Sequence, residues 1–156
     1  MSKVISPINE ALENILLKNI LLKSINAENH HFDVELNPDI KYKVLLKHKV
    51  LQSSLLENTD HSQHLLRVLL SYGVKWVSEE DSSQELAIIE ANYIAEYKLK
   101  KVISDDAIDA IDAFCLKNTG HNVWPYWREL VATTTQRLGL PHLTLPLQKP
   151  VKAKKD

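Results

Sequence analysis

Alternation of apolar and polar side chains predicts three long β-strands along this chain. In residues 40–50 apolar side chains alternate with lysines, with Leu45 and His48 as the exceptions, so one face of the strand is apolar and the other is basic. Residues 65–77 and 86–99 show the same two-residue period. In residues 86–99 both faces are largely apolar, so we expect the sheet that contains them to be covered on both sides.

Helical spacing predicts an amphipathic helix before the strands, over residues 7–18. Pro7 falls at a start position, and the apolar residues recur at helical spacing along one face. Residues 20–27 fit either an extension of this helix or a first strand, and periodicity alone does not decide between them.

Two helices are predicted after the strands. The first covers residues 105–116, with Ser104 as its cap and Cys115 on its apolar stripe. A break is expected over residues 118–122. The second helix then starts with Pro125 in its first turn, uses Leu130, Val131, Thr134 and Leu138 as its apolar stripe, and ends at Gly139.

This order of strands followed by helices indicates an α+β domain, an antiparallel sheet with the two C-terminal helices packed on one side. Two helices can cover only one face of such a sheet. We therefore expect the other apolar face to be covered by another subunit or by a bound polypeptide.

Composition narrows the function classes. The chain has 156 residues, enough for one domain, and its charged residues nearly cancel to a net charge of -1, which argues against nucleic acid as the main partner. A single cysteine and the lack of a signal-like or membrane-spanning apolar run favour a cytoplasmic protein without membrane insertion. Its three glycines are not clustered, so no phosphate-binding loop is predicted.

No set of residues predicts catalysis, a cofactor or a metal. The histidine-rich positions are interpreted as surface residues because they lie in loop-like sequence without a cysteine pair: His30, His31, His61 and His64. Cys115 lies on an apolar stripe, which favours burial over thiolate chemistry. We therefore expect that the protein is not an enzyme.

The segment 122–147 carries a family resemblance. Trp124, Pro125, Tyr126, Arg128 and Glu129 form an aromatic-Pro-Tyr-x-Arg-Glu run. A helix with an Arg-x-Gly end follows, and then a tail in which leucines alternate around Pro141 and Pro146. In this order and spacing, the segment resembles the C-terminal part of the SecB-like family of protein-export chaperones, and the resemblance extends over roughly residues 21–147.

This resemblance implies a SecB-like fold with a four-stranded sheet, in which residues 20–27 are a strand. Together with the helical spacing near the start and the lysine-rich end of the chain, it predicts an N-terminal helical extension over residues 1–18, a chaperone domain over residues 19–147 and a basic disordered tail over residues 148–156. It also implies an ATP-independent holdase, a homotetramer built as a dimer of dimers, which binds unfolded or partly folded polypeptide in apolar grooves. The candidate client-binding residues are Trp76, Ile89, Ala91, Tyr93, Trp124 and Tyr126. Four aromatic residues fit an ordinary core equally well: Trp76, Trp124, Tyr126 and Trp127. The resemblance favours the groove for Trp124 and Tyr126.

In export chaperones of this family, acidic residues contact the translocase motor SecA. They lie on the sheet face opposite the one that carries the client-binding strand residues. Glu90, beside Ile88, and Glu28 match two positions of that pattern, but the third is Ser24 and the long acidic C-terminal extension is replaced by lysines. These departures fit an alternative equally well: a chaperone dedicated to one antitoxin in a toxin–antitoxin–chaperone system. A third hypothesis, a small-ligand enzyme or sensor, requires a closed pocket with converging polar groups.

Overall fold

The structure is a computed structural model that describes residues 14–60, 62–100, 111 and 113–147. Its four strands form one antiparallel sheet in the order β1-β4-β3-β2. The strands are β1 (Ile15–Asn29), β2 (Tyr42–Glu57), β3 (His64–Ser78) and β4 (Glu85–Leu99). The predicted four-stranded sheet is confirmed, and β1 and β2 lie at its two edges.

The boundaries of the first two strands differ from the sequence prediction. Residues 15–18 belong to β1, so the helix predicted up to Lys18 is wrong for those residues, and residues 1–13 lie outside the described part of the chain. The adjacent leucines Leu16 and Leu17 fit one face of a helix. They also fit an edge strand that exposes apolar side chains on both faces, because neighbouring residues of a strand point to opposite faces. β2 continues to Glu57, beyond the predicted end at Val50.

The helical part of the chain also differs from the prediction. A π-helix (Cys115–Thr119) runs directly into α1 (Gly120–Arg137), so the break expected over residues 118–122 and the two separate helices are not found. Residues 101–110, where the first of those helices was expected to begin, lie outside the described residues. Pro125 lies inside α1 rather than in its first turn, and it costs the helix one backbone hydrogen bond. Burial of the neighbouring Trp124 and Trp127 offsets that loss.

The end of α1 is confirmed at Gly139. This glycine has a φ of +66°, and the Gly139 and Leu140 amides donate to the carbonyls of Gln136 and Thr135. These two bonds form a Schellman motif, which stabilises a helix end by pairing carbonyls that the helix leaves free. No described helix is long and apolar enough to cross a membrane.

The chain divides into two compact units, and each strand of the sheet contributes to both. The described part of the first unit comes from residues 14–23, 49–70 and 93–123. In its core Tyr97 meets Phe114 edge to face, with ring centroids 5.0 Å apart, and the Asn122 side chain donates to the Tyr97 hydroxyl at 2.9 Å. Burial raises the pKa of Tyr97 above its ordinary value and so favours the neutral phenol, although the hydrogen bond donated by Asn122 acts in the opposite direction.

The second unit comes from residues 24–48, 71–92 and 124–147. Its core is aromatic: Tyr72 of β3 stacks on Trp127 of α1 at 5.5 Å, and Trp124 lies 6.4 Å from the same ring. The buried stripe of α1 begins with Trp124 and Trp127 and continues through Val131 and Thr135. Of the predicted stripe, Val131 is buried as expected, whereas Leu130, Thr134 and Leu138 are only half-buried.

Candidate functional site

The loop between β1 and β2 is held against the end of α1 by the side chain of Asn29. Its Nδ2 donates to the carbonyl oxygens of Leu138, at 2.9 Å, and Phe32, at 3.2 Å. Its Oδ1 accepts from the Phe32 amide at 2.7 Å. Phe32 is buried and meets Tyr42 edge to face at 5.0 Å, so one residue fixes both the loop and its aromatic anchor.

A cavity of about 690 Å³ opens between this loop and the chain that follows α1. Its polar lining includes Asn29, His31 and Asp33, and its apolar lining includes Val34, Leu36, Leu138, Leu140 and Pro141. Leu36 is 79% exposed and the Asp33 side chain accepts from its amide, so the leucine is held out at a turn. We define this feature as the loop cavity. An open cavity with an exposed leucine can take an apolar side chain of another polypeptide.

The tail after α1 is fixed by two of the residues that carry the family resemblance. Trp124 Nε1 donates to the carbonyl oxygen of Pro146 at 2.8 Å, and Arg128 Nε donates to that of Leu145 at 2.9 Å. Leu145 is buried as a result, whereas Tyr126 on the helix is 52% exposed and Leu147 is 75% exposed. The spacing of Trp124 and Arg128 from the tail thus has a local cause, since donors on the helix pair with carbonyl oxygens of the tail.

Exposed apolar side chains also lie along the two edge strands, in both units. In the first unit they are Leu16, Leu17, Leu21 and Leu22 of β1 and Leu51 and Leu55 of β2. In the second unit they are Ile25 of β1 and Leu45 and Leu46 of β2. This exposure was not predicted from sequence, although adjacent leucines in a strand must point to opposite faces. The residues of β1 therefore offer apolar surface on both sides of an edge strand.

Comparison with known proteins now identifies the fold. No protein-family model matches the chain, and no curated protein matches it. Among solved structures, the chain is similar to the Mycobacterium tuberculosis Rv1957 SecB-like chaperone in complex with a ChAD peptide from the Rv1956 HigA1 antitoxin. The TM-score is 0.71 at 19% identity, and the match covers 94% of this chain and all of that one. The chain has a SecB-like fold. A protein of unknown function from Streptococcus agalactiae matches with a TM-score of only 0.38, at 11% identity over 85% of this chain and 97% of that one.

Within this SecB-like fold, most of the predicted client-binding residues lie in the core. Trp76, Ile89 and Ala91 of the second unit are buried, and Trp124 is buried against Tyr72. Tyr93, in the first unit, is buried as well. These five side chains present almost no surface to a client, because the apolar face on which they were placed is the one that the rest of the chain covers. Tyr126 alone of the six predicted residues is exposed.

The residues predicted to bind the motor lie on the opposite face of the SecB-like sheet. Asn92 Nδ2 donates to Ser24 Oγ at 2.9 Å, and strand alternation places Glu28 and Glu90 on the same face as that pair. Ile88 shares the alternation but is buried. Glu28 is exposed, with one carboxylate oxygen 3.7 Å from the His30 ring.

Glu90 does not stand free on that face. Lys47 Nζ of β2 lies 3.2 Å from its carboxylate, across the intervening strand β3. The contact passes over Gly73, where an added Cβ would lie 3.1 Å from Lys47 Cε and 3.6 Å from Glu90 Cγ. A second ion-pair group lies in the same unit, where Glu85 contacts His30 at 2.8 Å and Lys75 at 3.5 Å. The charge of Glu90 on that face is therefore balanced by Lys47.

The histidines weighed as metal ligands are separated. His30 faces Glu28 and Glu85, and His64 of the first unit lies 3.7 Å from Glu57. Over residues 14–60, 62–100, 111 and 113–147, no group of three or more potential ligands is placed to hold a metal ion. His61 lies outside these residues.

Proposed function

We propose that this protein is a SecB-like chaperone that holds non-native polypeptides without ATP. The observation that carries the proposal is the apolar surface left exposed on a SecB-like fold: the loop cavity with Leu36, and Tyr126 on α1. The similarity to a chaperone that was solved with an antitoxin peptide supports the same reading.

The binding would depend on burial of apolar client side chains. Each roughly 100 Å² of apolar surface removed from water contributes about 2.5 kcal/mol before the cost of ordering the client. Such contact is non-directional, so one cavity accepts many sequences. Holding of this kind needs no chemical step, no bound nucleotide and no cofactor, and we propose that the protein acts in the cytoplasm and is not an enzyme.

We propose further that the protein assembles as a homotetramer, a dimer of dimers. Support comes from β1, an edge strand whose leucines are exposed on both faces. An unpaired apolar edge of this length invites pairing with another chain. Light scattering on the purified protein would give the mass directly, and a monomer at micromolar concentration would contradict the assembly.

A holdase assay tests the main proposal. A chemically denatured reporter protein is diluted into buffer with and without the chaperone, and its aggregation is followed by light scattering. We expect the wild type to suppress aggregation, and Leu36→Asp to lose much of that effect because a charge would sit at the mouth of the loop cavity. The matched control is Leu55→Asp, an exposed leucine of the first unit that does not line the cavity. A wild type that leaves aggregation unchanged would refute the proposal.

A second candidate function is that of a chaperone dedicated to one antitoxin. Two observations at the positions that match the SecA-binding pattern favour it over general export. Glu90 is already paired with Lys47. Ser24 stands where that pattern has an acidic residue, and it pairs with Asn92. The similar structure with a bound antitoxin peptide also supports it. Docking to SecA would have to break the Lys47–Glu90 pair.

Purification of the protein from its native host, followed by identification of the chains bound to it, separates the two functions. Recovery of a single antitoxin is the expected result for a dedicated chaperone, whereas many preproteins indicate export. A titration with purified SecA gives an independent answer. Tight binding by the wild type, unchanged in Lys47→Ala, would count against the role of the ion pair.

A further inference from the structure

We propose that the edge of β2 in the second unit selects client segments in which acidic and apolar residues alternate, and binds them as an added strand. This edge, from Tyr42 to His48, is defined as the basic edge. The inference deepens the proposed chaperone function and depends on it, because it names the chemistry of the segment that would be held.

The position of β2 in the sheet makes backbone pairing possible. β2 is the last strand in the order and has one neighbour, β3, within the described sheet. The outer N–H and C=O groups of an edge strand are a template on which an extended peptide can add. Main-chain bonds of this kind give affinity without reading sequence, so selectivity must come from the side chains along the edge.

The side chains along the basic edge carry charge of one sign. Between Asp39 and Glu57 the chain has four lysines and neither aspartate nor glutamate. Lys43 and Lys47 of β2 are exposed, as is Lys41 just before the strand. Lys47 is paired with Glu90, whereas Lys43 has no ion pair within the part of the chain that the structure describes. An acidic residue of an added strand would meet this charge directly.

Apolar surface lies between the lysines. Leu45 is 45% exposed and Leu46 is 54% exposed, and both line a shallow cavity of about 160 Å³ with Ile88. Lys47, Lys75 and Glu90 line the same cavity. Because the side chains of a strand alternate between the two faces of a sheet, an added peptide of alternating acidic and apolar residues would place its acids beside Lys41 and Lys43, on the face that carries this cavity, and its apolar groups on the other face, beside Leu46. That pattern has the two-residue period of a strand.

A second copy of this chain is a poor occupant of the basic edge. If the basic edges of two copies paired antiparallel with each other, Lys43 of one strand would face Lys47 of the other, and like charges on paired strands are destabilising. A client strand rich in lysine or arginine meets the same repulsion. Charge complementarity therefore favours an acidic segment over both.

The test compares peptides that differ only in charge. Fluorescence anisotropy would measure the affinity of the full chain for a labelled peptide in which valine alternates with glutamate, and for the same peptide with lysine in place of glutamate. We expect the glutamate peptide to bind about tenfold more tightly or better, and its advantage to shrink as salt is added. N-methylation of alternate backbone nitrogens in the glutamate peptide removes strand pairing without changing charge, and we expect it to abolish binding.

Charge-reversal variants test whether the lysines at the basic edge cause the preference for the glutamate peptide. Lys41→Glu combined with Lys43→Glu is expected to weaken binding of the glutamate peptide about tenfold. The control is Lys23→Glu on β1, the same charge reversal on the other edge strand, which should change affinity less than twofold. If the double variant misfolds by circular dichroism, Lys43→Gln replaces it, with a loss of about two- to threefold expected.

Equal affinity for the two peptides, an equal loss in Lys23→Glu, or undiminished binding after N-methylation would overturn the inference. These outcomes are distinguishable from failure of the chaperone function. A protein that still suppresses aggregation of a denatured reporter but shows no charge preference loses only this inference. A protein that holds neither peptide nor reporter loses both.

Discussion

Replacement of Asn29 by alanine should destabilise the protein and weaken client binding together. The change removes three hydrogen bonds: two donated to the carbonyls of Leu138 and Phe32, and one accepted from the Phe32 amide. At about 1 kcal/mol of net stability for each bond, we expect a loss of about 2–3 kcal/mol in the free energy of unfolding. The partners are only partly buried, so water can compensate some of the loss, and the lower end of this range is favoured.

Asn29→Asp separates the accepted hydrogen bond from the two donated ones. Aspartate keeps the oxygen that accepts from the Phe32 amide but cannot donate while ionised. We expect it to cost about 1–2 kcal/mol. Asn26→Ala is the matched control, an exposed asparagine of the same strand without a side-chain hydrogen bond among the described residues. Urea denaturation at a fixed protomer concentration gives the free energies, and the holdase assay gives the functional loss. If Asn29→Ala stays within about 0.5 kcal/mol of Asn26→Ala, the anchoring role is refuted.

Three further changes have expected outcomes. Gly139→Ala should cost about 1 kcal/mol or more in thermal unfolding, since φ is +66° and nothing lies within 4 Å of an added Cβ to compensate; no loss would contradict the strain argument. Arg67→Ala should lower the free energy of unfolding in urea by about 1–3 kcal/mol, because the buried Glu96 carboxylate loses donors at 2.9 and 3.2 Å. Adding Glu96→Gln to the same chain should recover part of that stability, because it removes the unpaired charge. The folded state holds the Tyr97 proton more tightly than the unfolded state, so its contribution is complete below the ordinary pKa of 10.0 and is lost as pH rises beyond it. Tyr97→Phe should flatten that alkaline loss, and an unchanged slope would count against it.

The strands could be predicted because their signal is local. Each of the segments 65–77 and 86–99 carries an unbroken two-residue period, and each falls within one residue of the strand found there. β1 was ambiguous for a physical reason: its leucine doublets satisfy a helix face and a two-sided edge strand equally, and only pairing with β4 decides between them. Sequence predicts a break at residues 118–122 because Asn118 and Gly120, considered without their tertiary contacts, disfavour a helix. Burial of Val123 and Trp127 outweighs that preference.

The candidate site was harder to predict than the fold. Alternation shows that Ile89 and Ala91 share an apolar face, but it cannot tell a face covered by the same chain from one left open to a client. The loop cavity depends on Asn29 reaching Leu138, two residues separated by most of the chain. No local sequence pattern predicts such a contact. Nor does the sequence distinguish the exposed Leu36 from any other loop residue with polar neighbours.

The pairing of Lys47 with Glu90 has a geometric condition that bears on function. The two residues lie on β2 and β4, with β3 between them, so their backbones are about 9.5 Å apart at the usual strand spacing. Two side chains can meet across that distance only above a residue that does not fill the space, and Gly73 is that residue. An added methyl group at Gly73 needs Lys47 to shift by only a few tenths of an ångström, whereas we expect a bulky side chain there to separate the lysine from the glutamate. The availability of the Glu90 carboxylate on this face therefore depends on a glycine of a different strand, a condition that the position of Glu90 in the sequence does not reveal.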